Sequence, residues 1–106
     1  MSNQVQTKVD AAANYMTEKF LESIEIYRKK NTDYGDSFGK SIKEFGNIAA
    51  LIRIGDKYNR LKALTKNGYQ EVLDELIIDT LVDLANYSMM FAYELKRLEE
   101  IKAAID

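Results

Sequence analysis

The sequence predicts an all-α protein, an antiparallel bundle of three to five helices that forms one domain over residues 1–106. The chain has no proline and only five glycines, so few positions interrupt a helix. Apolar residues recur at three- and four-residue steps along most of the chain, which is the period of an amphipathic helix. A length of 106 residues suits a single domain.

The first half of the chain predicts two helices joined by a loop. A first helix is predicted over residues 7–30, with one core-facing apolar stripe. The stripe consists of Val9, Ala13, Met16, Phe20, Ile24 and Tyr27. Glycines and small polar residues predict a loop over 31–41. Ser41 and Glu44 have the spacing of a capping box, so a second helix is predicted over 42–66.

A third helix is predicted over residues 69–105. Asn67 and Gly68 separate it from the second helix, because both residues tolerate the left-handed conformation of helix ends. A continuous helix of this length would measure roughly 55 Å, so we expect it to be broken or to project. Its last turns keep an apolar stripe, which predicts a partner helix and therefore a homo-oligomer, a dimer, a tetramer or larger. The stripe consists of Leu95, Leu98, Ile101 and Ile105.

The composition excludes several kinds of chemistry. The chain contains no cysteine and no histidine, which excludes disulfides, thiol catalysis and zinc–thiolate sites and removes the commonest general base. Carboxylates are the remaining metal ligands, and they favour hard cations such as Mg²⁺. The net charge of −2 argues against a nucleic-acid partner. Without an apolar signal segment or a transmembrane run, we expect a cytoplasmic protein with no membrane partner.

A stripe of acids marks the third helix. Residues 72–93 are apolar around most of the helix circumference, so this segment is predicted to be largely buried. Within it, Glu75, Asp79 and Asp83 follow one another at four-residue steps, and Asn86 lies on the same face. Carboxylates at this spacing repel one another, and a buried unpaired carboxylate is costly. The stripe therefore predicts a neutralising partner, either a metal ion or basic side chains.

The second helix carries a matching basic stripe. Arg53, Lys57 and Arg60 share one face, with Asp56 beside them. One interpretation is an interhelical salt-bridge network between the two stripes. The other is a ligand site, in which the acids hold a cation and the basic groups hold phosphates. Both interpretations can apply to one cleft.

The predicted loop contains a second, less specific motif. Asp33, Tyr34 and Gly35 form an Asp-x-Gly pattern that is common in ordinary turns. Its functional interpretation is a lid over the site, with Tyr34 stacking on a base. The neighbouring Lys29 and Lys30 are interpreted as a solvated helix end.

Three stretches of the sequence resemble a known family. They are KKNTDYG at 29–35, RIGDKYNRL at 53–61 and ELIIDTLVDLANY at 75–87. The chain resembles the phage and bacterial family called nucleotide modification associated domain, type one, which is similar to the MazG-like all-α nucleotide pyrophosphohydrolases. The third stretch is the most specific, because it fixes acids, a hydroxyl, an asparagine and a tyrosine in one register.

The resemblance implies an oligomeric helical bundle that holds a nucleotide phosphate chain with Mg²⁺. In MazG-like enzymes, an E-x-x-E pair and an E-x-x-D pair on two helices bind the metals, and an activated water releases pyrophosphate. Asp79 matches the last of these acids, with Glu75 and Asp83 as further metal ligands. The E-x-x-E pair is replaced here by Asp56 and Lys57. The residue patterns and the resemblance together give a set of predicted nucleotide-binding residues: Asp33, Tyr34, Arg53, Asp56, Lys57, Arg60, Asn86 and Tyr87.

Three functions follow from these patterns. The first is a Mg²⁺-dependent nucleotide pyrophosphohydrolase. The second is a protein that sequesters a nucleotide without cutting it, for instance a defence signal that a phage needs to remove. The third is a structural helical bundle without a ligand, in which the two stripes form salt bridges.

Overall fold

The protein consists of α-helices throughout the part of the chain that the structure describes. This computed structural model describes residues 3–34, 36–66 and 71–105, without the side chains of 33, 34 and 71–73. These ranges contain four helices and no strand, which confirms the predicted all-α fold. The helices are α1 (Asn3–Tyr34), α2 (Ser37–Phe45), α3 (Ile48–Thr65) and α4 (Glu71–Ile105).

The predicted loop over 31–41 is wrong, because most of this segment is helical. Helix α1 continues to Tyr34 and α2 begins at Ser37. Asp36 makes this reversal with a left-handed backbone (φ 57°), and its carboxylate accepts a hydrogen bond from Gly39 N at 3.3 Å. Aspartate suits both roles, since it tolerates the left-handed region and caps helix N-termini. A Cβ at Gly39 would lie 2.5 Å from Asp36 Oδ2, so a larger residue would displace the cap.

The predicted second helix over 42–66 is divided into two helices. Gly46 ends α2 in the left-handed region, with a φ of 82°, which a glycine adopts at little cost. Its N–H donates to Ile42 O at 2.7 Å. The capping box predicted at Ser41 is also wrong, because Ser41 lies inside α2 and its hydroxyl donates to Ser37 O at 2.9 Å.

Helix α4 is one continuous helix of 35 residues. At about 1.5 Å per residue it accounts for the longest dimension of the molecule, 52 Å. The possible break in the predicted third helix is therefore absent from residues 71–105. Asn67 and Gly68, the predicted stop before this helix, lie outside the described residues.

The helices follow an up–down–up order. Lys57 contacts Asp83 and Arg60 contacts Thr80, so α3 and α4 are antiparallel. Helix α1 lies against the opposite side of α4 in the same direction as α4, because Phe20 is near Leu81 and Tyr27 is near Met90. This order places the end of α1 beside the middle of α4.

The fully buried core is small and is built by α2 and α3. Among the described residues, the buried hydrophobic side chains are Phe38, Ile42 and Ala50, and Tyr87, Met90 and Phe91 of α4 pack against them. The radius of gyration is 17.3 Å, whereas a compact chain of this length would have about 13 Å. The molecule is therefore elongated, with few side chains enclosed on all sides.

Two burial predictions are wrong for the single chain. The apolar stripe of α1 is predicted to face the core, yet Val9, Met16 and Phe20 are exposed. The middle of α4 is predicted to be largely buried, yet Leu81 and Met89 are exposed. The physical reason is that four helices in this elongated arrangement cover only part of each apolar surface.

Phe38 should be essential for stability, whereas Phe45 of the same helix should not. Phe38 is 5% exposed and Phe45 is 64% exposed. Phe38→Ala should lower the free energy of unfolding by about 3 kcal/mol, because it removes a ring from a packed core. Phe45→Ala should cost less than about 0.5 kcal/mol. Urea unfolding followed by circular dichroism measures both values, and equal losses would contradict this core assignment.

Candidate functional site

The acid and basic stripes meet between α3 and α4, but through two contacts rather than a network. Lys57 Nζ lies 3.2 Å from Asp83 Oδ2. One turn away, Arg60 Nε donates to Thr80 Oγ1 at 3.3 Å, and the Thr80 hydroxyl donates to Leu76 O at 2.7 Å. Arg60 therefore contacts a hydroxyl rather than an acid. These contacts fix the register of α3 against α4.

An aromatic contact joins α2 to the same place on α4. The rings of Phe38 and Tyr87 have centroids 5.6 Å apart at an angle of 40°, within the range of favourable aromatic pairs. Lys57 Nζ lies 6.0 Å from the centroid of the Tyr87 ring, near the outer limit for a cation–π contact. Tyr87 thus contacts both the core and the Lys57–Asp83 pair.

A groove opens between the end of α1 and the adjoining faces of α3 and α4. We call it the cationic groove. It has a volume of about 150 Å³ and is lined by Ile26, Tyr27, Lys30, Asn31, Ser37, Phe38, Arg53, Asp83, Asn86, Tyr87 and Met90. The predicted residues Arg53, Asn86 and Tyr87 are therefore brought together.

Two basic side chains of the cationic groove have no acidic partner among the described residues. Neither Lys30 nor Arg53 forms an ion pair within the part of the chain that the structure describes, whereas Asp83 is already paired with Lys57. Lys30 is exposed, as the sequence predicts for a solvated side chain, and it also lines the groove. Free cations beside amide and hydroxyl groups suit a phosphate.

A second, larger cavity adjoins the groove. We call it the aromatic cavity. It has a volume of about 390 Å³ and is lined by Ile24, Tyr27, Asp36, Phe38, Asn86, Met89, Met90, Tyr93 and Glu94. Tyr27, Phe38, Asn86 and Met90 line both spaces. Burial raises the pKa of Tyr27, and the carboxylates of Asp36 and Glu94 raise it further.

The three predicted metal ligands do not converge on one point. Successive acids at four-residue steps are about 6 Å apart along a helix axis, and Glu75 and Asp79 are exposed while Asp83 is half-buried. Within residues 3–34, 36–66 and 71–105, no group of three acidic side chains is close enough to hold a metal ion. The described part of the chain therefore offers one or two carboxylates to a cation at this face.

Other predicted site residues lie apart from the groove or cannot be placed. Asp56 is exposed and does not line either space. The side chains of Asp33 and Tyr34 lie outside the described residues, so the predicted lid stays a prediction. No described helix is long and apolar enough to cross a membrane.

Sequence reasoning missed several residues of the two spaces. Asn31, Ser37 and Phe38 lie in the segment predicted as a loop, and Glu94 was not singled out. The signal for Phe38 was present, because Phe38 and Ile42 are four residues apart on one apolar face.

The fold and the site define a protein that is all-α in its described part, with a groove lined by two basic residues beside an aromatic cavity. A family model described as nucleotide modification associated domain 1 matches residues 30–95, which is more than half of the chain. The chain belongs to this family. No curated protein and no solved structure matches the chain.

The Lys57–Asp83 pair should contribute measurably but modestly to stability. Its side chains are 27% and 45% exposed, so solvent screens part of the attraction, and about 0.5 kcal/mol is expected. A double-mutant cycle with Lys57→Met and Asp83→Asn measures this coupling by urea unfolding. Pairing Lys57→Met with Asp79→Asn is the control, because Asp79 is exposed one turn away and should show no coupling. Equal coupling energies in the two cycles would contradict a specific interaction between Lys57 and Asp83.

Proposed function

We propose that the protein binds a nucleotide, with the phosphates in the cationic groove. One observation carries this proposal: all three stretches that resemble the nucleotide-associated family contribute to the groove. Lys30 and Asn31 come from the first stretch, Arg53 from the second, and Asn86 and Tyr87 from the third. These stretches are separated in sequence and lie on three helices.

The chemistry of the groove favours a phosphate over a neutral ligand. The guanidinium of Arg53 can donate two parallel hydrogen bonds to phosphate oxygens, and Lys30 adds a second positive charge. The amides of Asn31 and Asn86 and the hydroxyl of Ser37 supply further donors without charge. The Lys57–Asp83 pair lowers the negative charge at the edge of the groove.

Mg²⁺ would accompany the phosphates in this proposal. In nucleotide sites, Mg²⁺ is commonly held by one or two carboxylates together with phosphate oxygens and waters. Asp83 lines the groove, Asp79 lies one helical turn before it and Glu75 two turns before it. A bound Mg²⁺ would neutralise phosphate charge that the two basic residues leave uncompensated.

Binding without cleavage is the function that this geometry supports best. The MazG-like reaction needs acids from two helices, and α3 offers only the exposed Asp56. Pyrophosphate release is the second candidate. It is favoured by the exposed acids Glu75 and Asp79, which have no ion-pair partner within the described ranges and remain available to a metal.

Loss of the Arg53 charge should weaken nucleotide binding. Arg53→Gln should raise the dissociation constant of a nucleoside triphosphate roughly tenfold or more, because a charge-assisted hydrogen bond is lost. Lys62→Gln is the matched control, since it removes an exposed charge from the same helix. Thermal shift with and without Mg²⁺ screens the nucleotides, and isothermal titration measures the affinities.

The same samples distinguish binding from hydrolysis. Pyrophosphate release that disappears in Asp79→Asn would establish the second candidate. Nucleotide that remains intact while raising the melting temperature would establish a binding protein that sequesters its ligand. A panel of nucleotides that leaves the melting temperature unchanged would exclude both functions and favour a structural helical bundle.

We propose in addition that the chain forms a homo-oligomer through the last turns of α4. Leu95, Leu98 and Ile101 are all exposed there, at a spacing that suits a partner helix. Light scattering after size exclusion should give a multiple of the chain mass, 12.2 kDa. Leu98→Glu should reduce that mass and the neighbouring Glu100→Gln should not. A monomeric wild-type protein would disprove this interface.

A further inference from the structure

The aromatic cavity has the volume and the lining of a base-binding site, and it lies next to the cationic groove. Its volume of about 390 Å³ falls within the range of small-molecule sites, about 300–1,000 Å³. Tyr93 and Tyr27 present aromatic surfaces, and Met89 and Met90 add flexible apolar ones. Flat heterocycles pack well on such side chains. Phe38 and Asn86 line both spaces, so the base of a nucleotide whose phosphates occupy the groove would lie beside this cavity.

Glu94 is the unusual residue of this cavity. It is a carboxylate on a mostly apolar wall, and the residue is only 8% exposed. Its Oε2 lies 3.5 Å from Arg97 Nη1, at the outer limit of a hydrogen bond. No other donor contacts its carboxylate in the part of the chain that the structure describes. A buried carboxylate with so few partners has acceptor capacity left for a ligand.

Asp36, the other carboxylate of the cavity, has a structural role. Its Oδ1 accepts from Gly39 N and caps α2. The neighbouring phenol of Tyr27 has its pKa raised by burial and by both carboxylates. Glu94 is therefore the acidic group best placed to accept hydrogen bonds from the edge of a base.

We propose that the aromatic cavity recognises guanine, with the Glu94 carboxylate accepting hydrogen bonds from the N1–H and N2–H₂ donors of the base. This inference rests on the nucleotide-binding function proposed above. Guanine presents two adjacent donors that match the two oxygens of one carboxylate. Adenine presents one donor beside a ring-nitrogen acceptor, and uracil and thymine present one donor between two carbonyl oxygens. A carboxylate repels those acceptors, so the same site disfavours these bases.

Three nucleotides with the same triphosphate test this assignment on the unmodified protein. Titration calorimetry should give the tightest binding for guanosine triphosphate. Inosine triphosphate lacks only the N2 amino group and should bind roughly tenfold more weakly, since one hydrogen bond to a charged acceptor is lost. Adenosine triphosphate should bind at least as weakly as the inosine nucleotide. Chromatography after each titration verifies that the nucleotide remains intact.

A substitution assigns the selectivity to Glu94. Glu94→Gln keeps the size of the side chain but removes its charge and one acceptor. It should abolish the guanosine preference by weakening guanosine triphosphate binding, while the affinity for adenosine triphosphate stays the same or rises because the repulsion of the adenine acceptor is removed. Glu99→Gln, an exposed acid on the same helix, should leave the preference unchanged. If Glu94 had a purely structural role, Glu94→Gln would weaken the binding of all three nucleotides equally.

The possible failures can be told apart. Equal affinities for the three nucleotides, or a guanosine preference that survives Glu94→Gln, would overturn the base assignment and leave nucleotide binding intact. Absence of binding by all three, at concentrations up to millimolar, would overturn nucleotide binding and the base assignment with it.

Discussion

The contact between Phe38 and Tyr87 is the interaction on which the rest of the structure depends. Phe38 belongs to a helix of only nine residues, yet it joins the buried core to the centre of α4. Its ring also lines both the cationic groove and the aromatic cavity. The packing that stabilises α2 therefore also shapes the two spaces in which we place the ligand.

The helical character of the chain could be predicted because it depends on local pattern. Apolar residues at three- and four-residue steps favour helices wherever the chain finally packs. The segment 31–41 was mispredicted because small polar residues also occur in short helices with a strong cap. Asp36 supplies that cap, and its effect depends on a left-handed backbone that composition alone does not reveal.

The candidate site could be predicted only in part, for a related reason. The register of Lys57 against Asp83 follows from two stripes on helices joined by a short connection. The contribution of Lys30 and Asn31 depends on where the end of α1 meets α4, and the two segments are far apart in sequence. A single sequence contains no local signal for such a contact. The prediction that the acids of α4 are buried is wrong for Glu75 and Asp79. An apolar helix surface indicates that a helix can be covered by other helices, but the single chain covers only part of α4.

The placement of α1 has a consequence for the dynamics of the site. Helices α3 and α4 are neighbours in sequence and hold each other through local contacts, whereas α1 reaches α4 across a long stretch of chain. Local opening of a protein follows its least packed boundary, and α1 has few buried side chains. Detachment of α1 alone would open the groove and the cavity together, since it forms one wall of each. A bound ligand would then slow amide hydrogen exchange chiefly in α1, and access to the site would be governed by undocking of one helix.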